Sequence, residues 1–512
     1  MGSLTEKNVD DTCYQIDSNT ENAVDYNAKL FKSFAEQEEI TLLMKENPSI
    51  ARRVLWKVDL FIATNMFLIV FLEFLDKNSL GFAAVLGLKA DTHLAGNDYS
   101  NLSSIFYYGY LLGEFISFFL IPKVRIGKFV SISLLVWGAL LMCLAACQSF
   151  GSLCVVRFLL GVFEACILPA FMIIASLWWK KEEQPLRSTL YFNTLAGILG
   201  GIFAHLIGLI HGKLATWRIL FLIYGAVTVV YAGFLVFLFP DNIENAIFLT
   251  PHEKQVAYLR VIKNHTGSSL HSDFKLYQIR EALLDPKYYI LLAFIICQAI
   301  TNAGITNFNT LIIQGFGFSA LKTTLMATPQ AAIALVAGIL VSVICFLVKN
   351  VRCVFWVLCS LVGLSGALIV MKVDSARHRD TALAGVYLMG FYNIPWTLML
   401  ALVSSNVSGS TKKTFMSVSV AVWYAVGNII GPHLFKNSEA PSYPMGIKAM
   451  VASFAIMAFT GILYFCALFL ENRSRRSSNA QDVDIVVDLH NAEDENYKDV
   501  TDGENKNFIY VY

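Results

Sequence analysis

Glu73, Asp76 and Lys77 fall within one apolar run of the chain, and Arg157 and Glu164 fall within another. Ionised side chains are costly inside a bilayer and persist there where they pair, face water or move charge. Glu73 and Asp76 are three apart and share a helix face. Arg157 and Glu164 are seven apart, so on a helix they point the same way, about 10.5 Å apart along its axis. That is too far for a direct pair. Each needs a partner on another helix or water in a cavity, and Asp76 and Lys77 are the obvious suppliers. Those two read as lying near the end of their span, where a long side chain reaches the interface at little cost. Such a set can trade protons for anions. Desolvation favours the neutral form of a carboxylate, and a neighbouring cation favours its charged form. When the proton leaves, the carboxylate holds the cation; when it arrives, the cation is released to an incoming anion. Proton and anion then bind together more readily than either alone. Glu73, Glu114 and His205 read more simply as groups that lock or pack helices.

The elements that carry these residues are membrane spans. Of 512 residues, 56% are hydrophobic and 15% charged, with a mean hydropathy of +0.57. A soluble chain carries about a quarter charged residues. Thirty-nine basic residues against thirty-eight acidic ones exclude a nucleic-acid binder that works by phosphate neutralisation. A bilayer core takes about 20 apolar residues per helix. The expected spans are 58–75, 101–121, 127–147, 153–178, 187–210, 217–239, 289–313, 325–348, 351–371, 381–404, 413–435 and 448–470. This predicts an all-α polytopic membrane protein, with twelve transmembrane helices in two six-helix bundles. Nine of the ten cysteines lie in or beside apolar stretches and read as small packing residues. No cysteine and histidine spacing suggests a metal site, and no cofactor is expected.

The domains expected are a cytosolic tail over 1–55, a first bundle over 56–240, a cytosolic linker over 241–288, a second bundle over 289–471 and a disordered cytosolic tail over 472–512. Thr250-Pro251-His252-Glu253 reads as a capping box that starts a short linker helix reaching about Lys263. The tail beyond Arg476 is rich in Asp, Glu and Asn. Lys and Arg gather at the N-terminal flank, the even-numbered loops and the C-terminal flank, as at Arg52, Arg53, Lys123, Arg125, Lys180, Lys412 and Arg473. That bias places both termini and the linker in the cytosol. Span five carries Asn193, Gly197, Gly200 and Gly201; span eleven carries Gly427, Gly431 and Pro432. These occupy equivalent places in the two halves, suited to close helix approach and to rocking. Tyr107 and Tyr108 in span two, with Asn393 and Asn406 in the second half, are candidate solute contacts beside Lys77. Asn302, Asn307, Asn309 and Tyr392 are further polar candidates.

Several stretches together carry a resemblance. They are Leu75-Asp76-Lys77-Asn78 with Gly81; 99–110; Arg157 through Glu164 with Pro169; Trp217-Arg218; Pro240-Asp241; 405–413; Asn428 through Pro432; and the closing 501–510. In order and spacing they resemble the major facilitator superfamily, and more narrowly the fungal anion:cation symporter family typified by allantoate permease. The resemblance implies two six-helix bundles around a cavity open alternately to each side. It implies a proton symporter of a small organic anion such as a carboxylate, ureide, vitamin or sulfur compound. It further implies that Asp76 and Glu164 take and release the proton, that Arg157 compensates their charge, and that Lys77 offers a cation to the substrate. Many relatives carry arginine at position 77. Partners are then the substrate anion, protons and lipid, with no nucleic acid, in a monomer of the plasma membrane or the endoplasmic reticulum. A facilitative uniporter or channel stays open as an alternative, and a polytopic enzyme less so. No acidic metal-binding box lies inside a span, and no pore-loop filter is present.

Overall fold

In a computed structural model the described residues are 40, 42–44, 47–180, 183, 184, 187, 195–210, 212–261, 275–375, 377–481, 500–505 and 507–512. Their regular structure is helical, with no strand among the described residues. Helices stand at all twelve expected places. Spans 1 to 6 are Pro48–Asp91, Asp98–Leu120, Ile126–Leu144, Phe150–Trp178, Leu195–Gly208 and Thr216–Leu238. Spans 7 to 12 are Pro286–Gly315, Ala320–Leu347, Arg352–Lys372, Arg379–Asn406, Ser410–His433 and Pro444–Gln481. Ten of these are long and apolar enough to cross a membrane by composition alone. Span 2 has the length but carries Tyr, Ser, Asn and Glu, and most of its polar side chains turn inward. Span 5 is described over a shorter stretch, and Asn193 lies outside the described residues.

Span 1 corrects the sequence reading most. Its helix runs 44 residues from Pro48, within the stretch assigned to the N-terminal tail, and continues past Lys77 to Asp91. Asp76 and Lys77 therefore sit deep in a span rather than near its end. The charges themselves lowered the local hydropathy and made the span look finished. The apolar run Leu80 to Leu88 behind them completes the crossing.

Span 1 kinks at Gly87, whose φ is 110°, and the other local breaks follow from proline. Span 4 is interrupted at Cys166, because Pro169 gives no backbone N–H to the turn before it. Span 10 tightens over Gly390–Tyr392 before Pro395. Pro432 lies in the last turn of span 11, where it ends the helix rather than bending its middle.

Contacts between the halves gather at the end away from the linker. The Tyr99 hydroxyl donates to the Asn307 carbonyl at 2.7 Å, and the Thr310 hydroxyl to the Gly81 carbonyl at 2.8 Å. Ser104 donates to the Ile429 carbonyl at 2.9 Å, and Lys89 reaches Asn437 at 2.9 Å. His205 pairs its Nδ1 with the Leu321 carbonyl at 2.9 Å, a packing role. At the linker end, the ion pairs Lys57–Glu253, Arg260–Glu183 and Lys412–Glu281 each join one half to its own part of the linker. The ties named between the halves thus lie at one end.

The described residues of the linker hold two helices. Pro251–Val261 starts with the expected capping box: the Glu253 N–H donates to the Thr250 hydroxyl at 3.4 Å and the Thr250 N–H to the Glu253 carboxylate at 3.0 Å. Leu276–Leu284 follows. The tail expected to be disordered over 472–512 is not so in its described parts. Span 12 continues as helix to Gln481, and residues 500–505 and 507–512 pack onto the second half, with Thr501, Asp502 and Tyr510 buried.

Candidate functional site

Close backbone contact brings the charges together. A Cβ on Gly109 of span 2 would overlap the Phe158 carbonyl, and one on Gly161 of span 4 would overlap the Phe106 carbonyl. The two helices therefore touch at the backbone, and span 4 presents Arg157 and Glu164 beside span 1.

Lys77 lies at the centre. Its Nζ is 2.5 Å from Glu73 Oε1, one turn back on the same helix, and 3.0 Å from Glu164 Oε1 on span 4. The Glu164 contact is an ion pair without hydrogen-bond alignment, and the other oxygen of each carboxylate has no hydrogen-bond partner. The side chains of Glu73 and Glu164 are 3% and 0% exposed, whereas that of Lys77 is 17% exposed. The cation is the member of the trio that a solute can reach. Phe74 and Tyr110 lie under its ammonium group at 5.5 and 6.0 Å from their ring centres.

Asp76 turns to the other side of span 1. Its Oδ2 accepts from the Trp137 indole N–H at 2.8 Å, and its Oδ1 accepts from the Ser79 hydroxyl at 3.2 Å. Arg157 is buried within electrostatic reach of Asp76, and its Nε and Nη2 have no hydrogen-bond partner. Its guanidinium lies 6.0 Å from the Phe221 ring centre. Of the expected partners, Lys77 does pair with Glu164, whereas Arg157 forms no ion pair with Asp76 or Glu164. Three buried carboxylates face two cations, so with all five ionised the cluster carries one net negative charge.

The second half meets this cluster with aromatic rings and amides. Tyr107 is buried, and its ring is 6.4 Å from that of Tyr424 on span 11. Trp396 of span 10 packs on Tyr424 at 5.1 Å. Behind them the Tyr392 hydroxyl donates to Asn302 Oδ1 at 3.2 Å, Asn302 Nδ2 to Asn428 Oδ1 at 2.8 Å, and Asn428 Nδ2 to the Tyr424 carbonyl at 2.9 Å. Asn393 is half-buried at the restart of span 10, next to Tyr392.

Two expected solute contacts are placed elsewhere. Tyr108 is 49% exposed on the outward stripe of span 2, with Leu112, Phe115 and Phe119. Asn406 is buried at the far end of span 10, where its amide exchanges two hydrogen bonds of 2.8 Å with the backbone of Val511. Among the glycines, Gly197 and Gly201 face Ala331 and Thr328 of span 8 across the halves. Gly200 packs on Leu75 of span 1, and Gly431 on span 7 at Ala303. Sequence reasoning missed Trp137, Trp396 and Tyr424. A tryptophan or tyrosine in an apolar helix carries no mark of the side chain it will meet.

Twelve spans in two halves, with a charged cluster on the inner face of one and an aromatic and amide wall on the other, define a membrane transporter of the major facilitator type. Residues 66–432 match the Major Facilitator Superfamily, and the chain belongs to it. It groups with fungal transporters that include the allantoate permease of Saccharomyces cerevisiae, 32% identical over 93% of this chain and 88% of that protein. An uncharacterised transporter of Schizosaccharomyces pombe is 37% identical over 92% of this chain and 89% of its own. The thiamine pathway transporter of S. cerevisiae is 32% identical over 90% and 86%. Among solved structures, a bacterial homologue of the human lysosomal transporter Spinster, inward-facing and unoccupied, shares the fold with a TM-score of 0.60. It is 14% identical and covers 82% of this chain and 97% of its own. A D-xylose–proton symporter does so with a TM-score of 0.58 at 11% identity, over 79% and 96%.

Proposed function

We propose that this transporter carries a small organic anion together with protons by alternating access. The observation that carries the reading is Lys77, gripped by two sealed carboxylates and itself partly exposed. An incoming carboxylate competes with Glu73 and Glu164 for the ammonium group. The carboxylate it displaces is left buried without a counter-charge, which is strongly unfavourable until a proton neutralises it. Anion entry and proton uptake are thereby linked. With one net negative charge in the empty cluster, one proton already suits it, and a bound anion calls for a second. Asp76 and Arg157 form the reserve: the guanidinium with idle donors takes up Asp76 or the substrate when the trio rearranges. Lysine meets a carboxylate as a point charge rather than as a fork, so Tyr107, Tyr424 and Trp396 supply the shape that holds the rest of the solute.

The yeast relative named for allantoate, a carboxylate, supports an anionic substrate. In this reading the linker end is cytosolic, both termini are cytosolic, the structure is open to the cytosol, and the plasma membrane is the site of action. The test is uptake of a panel of labelled small carboxylates, allantoate among them, into proteoliposomes with and without an inward proton gradient. Symport gives accumulation that a protonophore collapses. Flux indifferent to the gradient means facilitative transport instead.

A further inference from the structure

Residues 500–505 and 507–512 run largely without regular structure and make side-chain contacts with several separate elements of the second half. Asp502 lies 2.8 Å from Lys412 Nζ at the start of span 11 and accepts from the Ser408 N–H at 3.2 Å. The Tyr510 hydroxyl donates to Asp502 at 2.9 Å, and the Lys287 ammonium of span 7 lies 4.2 Å from the Tyr510 ring centre. Asn406 of span 10 and Asn472 of span 12 each pair with the tail backbone in both directions, at Val511 and Tyr510. Arg475 of span 12 donates to the carbonyls of Asp502, Asn505 and Phe508. The Thr501 hydroxyl donates to Glu281 of the second linker helix, whose carboxylate also holds Lys412 at 2.8 Å.

The first half has a counterpart. Its linker-end rim is joined by the helix Pro251–Val261, with Glu253 on Lys57 at 2.7 Å and Arg260 on Glu183 at 2.8 Å. Each half thus has a peptide clasp across its own linker-end rim.

We propose that residues 500–512, with the helix Leu276–Leu284, form a clasp that makes the second half one rigid body during rocking, as Pro251–Val261 does for the first. The clasp adds a common anchor to the linker-side ends of spans 7, 10, 11 and 12, where spans 10 and 11 share a short loop and Lys287 of span 7 reaches Glu471 of span 12 at 2.5 Å. With the clasp open, those ends lose that anchor, and the linker-end rim no longer meets the first half as a unit. Turnover suffers while solute binding, deep between the halves, does not.

The test uses the full chain, purified in detergent, with Asp502→Asn and, as a milder change, Tyr510→Phe. Amide hydrogen exchange is expected to rise about tenfold across both 276–284 and 500–512 in Asp502→Asn, with a smaller joint rise in Tyr510→Phe. The far-end segments around Tyr99 and Asn307 keep their protection. In vesicles the same variants lose maximal rate with KM unchanged. Exchange in 276–284 that ignores both substitutions overturns the clasp, and so does a fall in solute affinity at full maximal rate. The exchange arm needs no substrate, so its outcome is separate from that of the symport reading.

Discussion

Lys77 holds a different position from the other charges: it is shared between Glu73 and Glu164, and it alone of that trio offers surface to a solute. Replacing it with alanine leaves two adjacent buried carboxylates without a cation. Transport should vanish, and initial-rate uptake at matched membrane abundance checks this. Arg157→Ala is expected to abolish transport as well with the protein still reaching the membrane; normal rates would reduce Arg157 to a packing residue. Trp137→Phe removes the indole N–H from Asp76 and leaves a buried acceptor short of a partner, a loss of about 1–3 kcal/mol. A lowered melting temperature and slower uptake should appear together. The charged residues were legible in the sequence, because ionised groups in apolar runs stand out. Their pairing was not. Asp76 and Lys77 are neighbours in the chain, yet a helix turns adjacent residues about 100° apart, sending one to Trp137 and the other to Glu164.

At the scale of elements, the approach of spans 2 and 4 decides whether the site exists. Gly109→Ala places a methyl group against the Phe158 carbonyl, which is backbone and cannot swing aside. The helices must part, at a cost of about 1–3 kcal/mol. A thermal melt of purified protein should show the loss, and uptake should fall with it. The clasp gives an acid-stability prediction. Burial acts to raise the Asp502 carboxyl, but hydrogen bonds from Lys412, the Ser408 N–H and Tyr510 outweigh it and hold the group below the usual aspartate range. A depressed folded value means the stabilisation is in full force above about pH 4, the unfolded value, and is lost as pH falls through the folded one. Exchange protection of 500–512 should therefore stay level from pH 8 to pH 5. The spans were readable from hydropathy and the linker helix from its capping box. The clasp was not, since Asp, Glu and Asn in a tail read as solvated until the buried Lys412 and half-buried Arg475 that receive it are seen.

For the whole molecule, the ties between the halves at the end away from the linker mark one stage of the proposed rocking cycle. Alternating access requires the Tyr99–Asn307, Ser104–Ile429 and Lys89–Asn437 contacts to part in each turn. A Lys89→Cys, Asn437→Cys pair bridged by a short bifunctional thiosulfonate should stop transport, and a reducing agent should restore it. Accumulation itself tests the account most directly. Proteoliposomes bearing Glu164→Gln, whose neutral side chain no longer needs a proton when the anion takes Lys77, should exchange labelled solute across the membrane yet fail to concentrate it under an inward proton gradient. Undiminished, protonophore-sensitive concentration by that variant would contradict the proposed coupling.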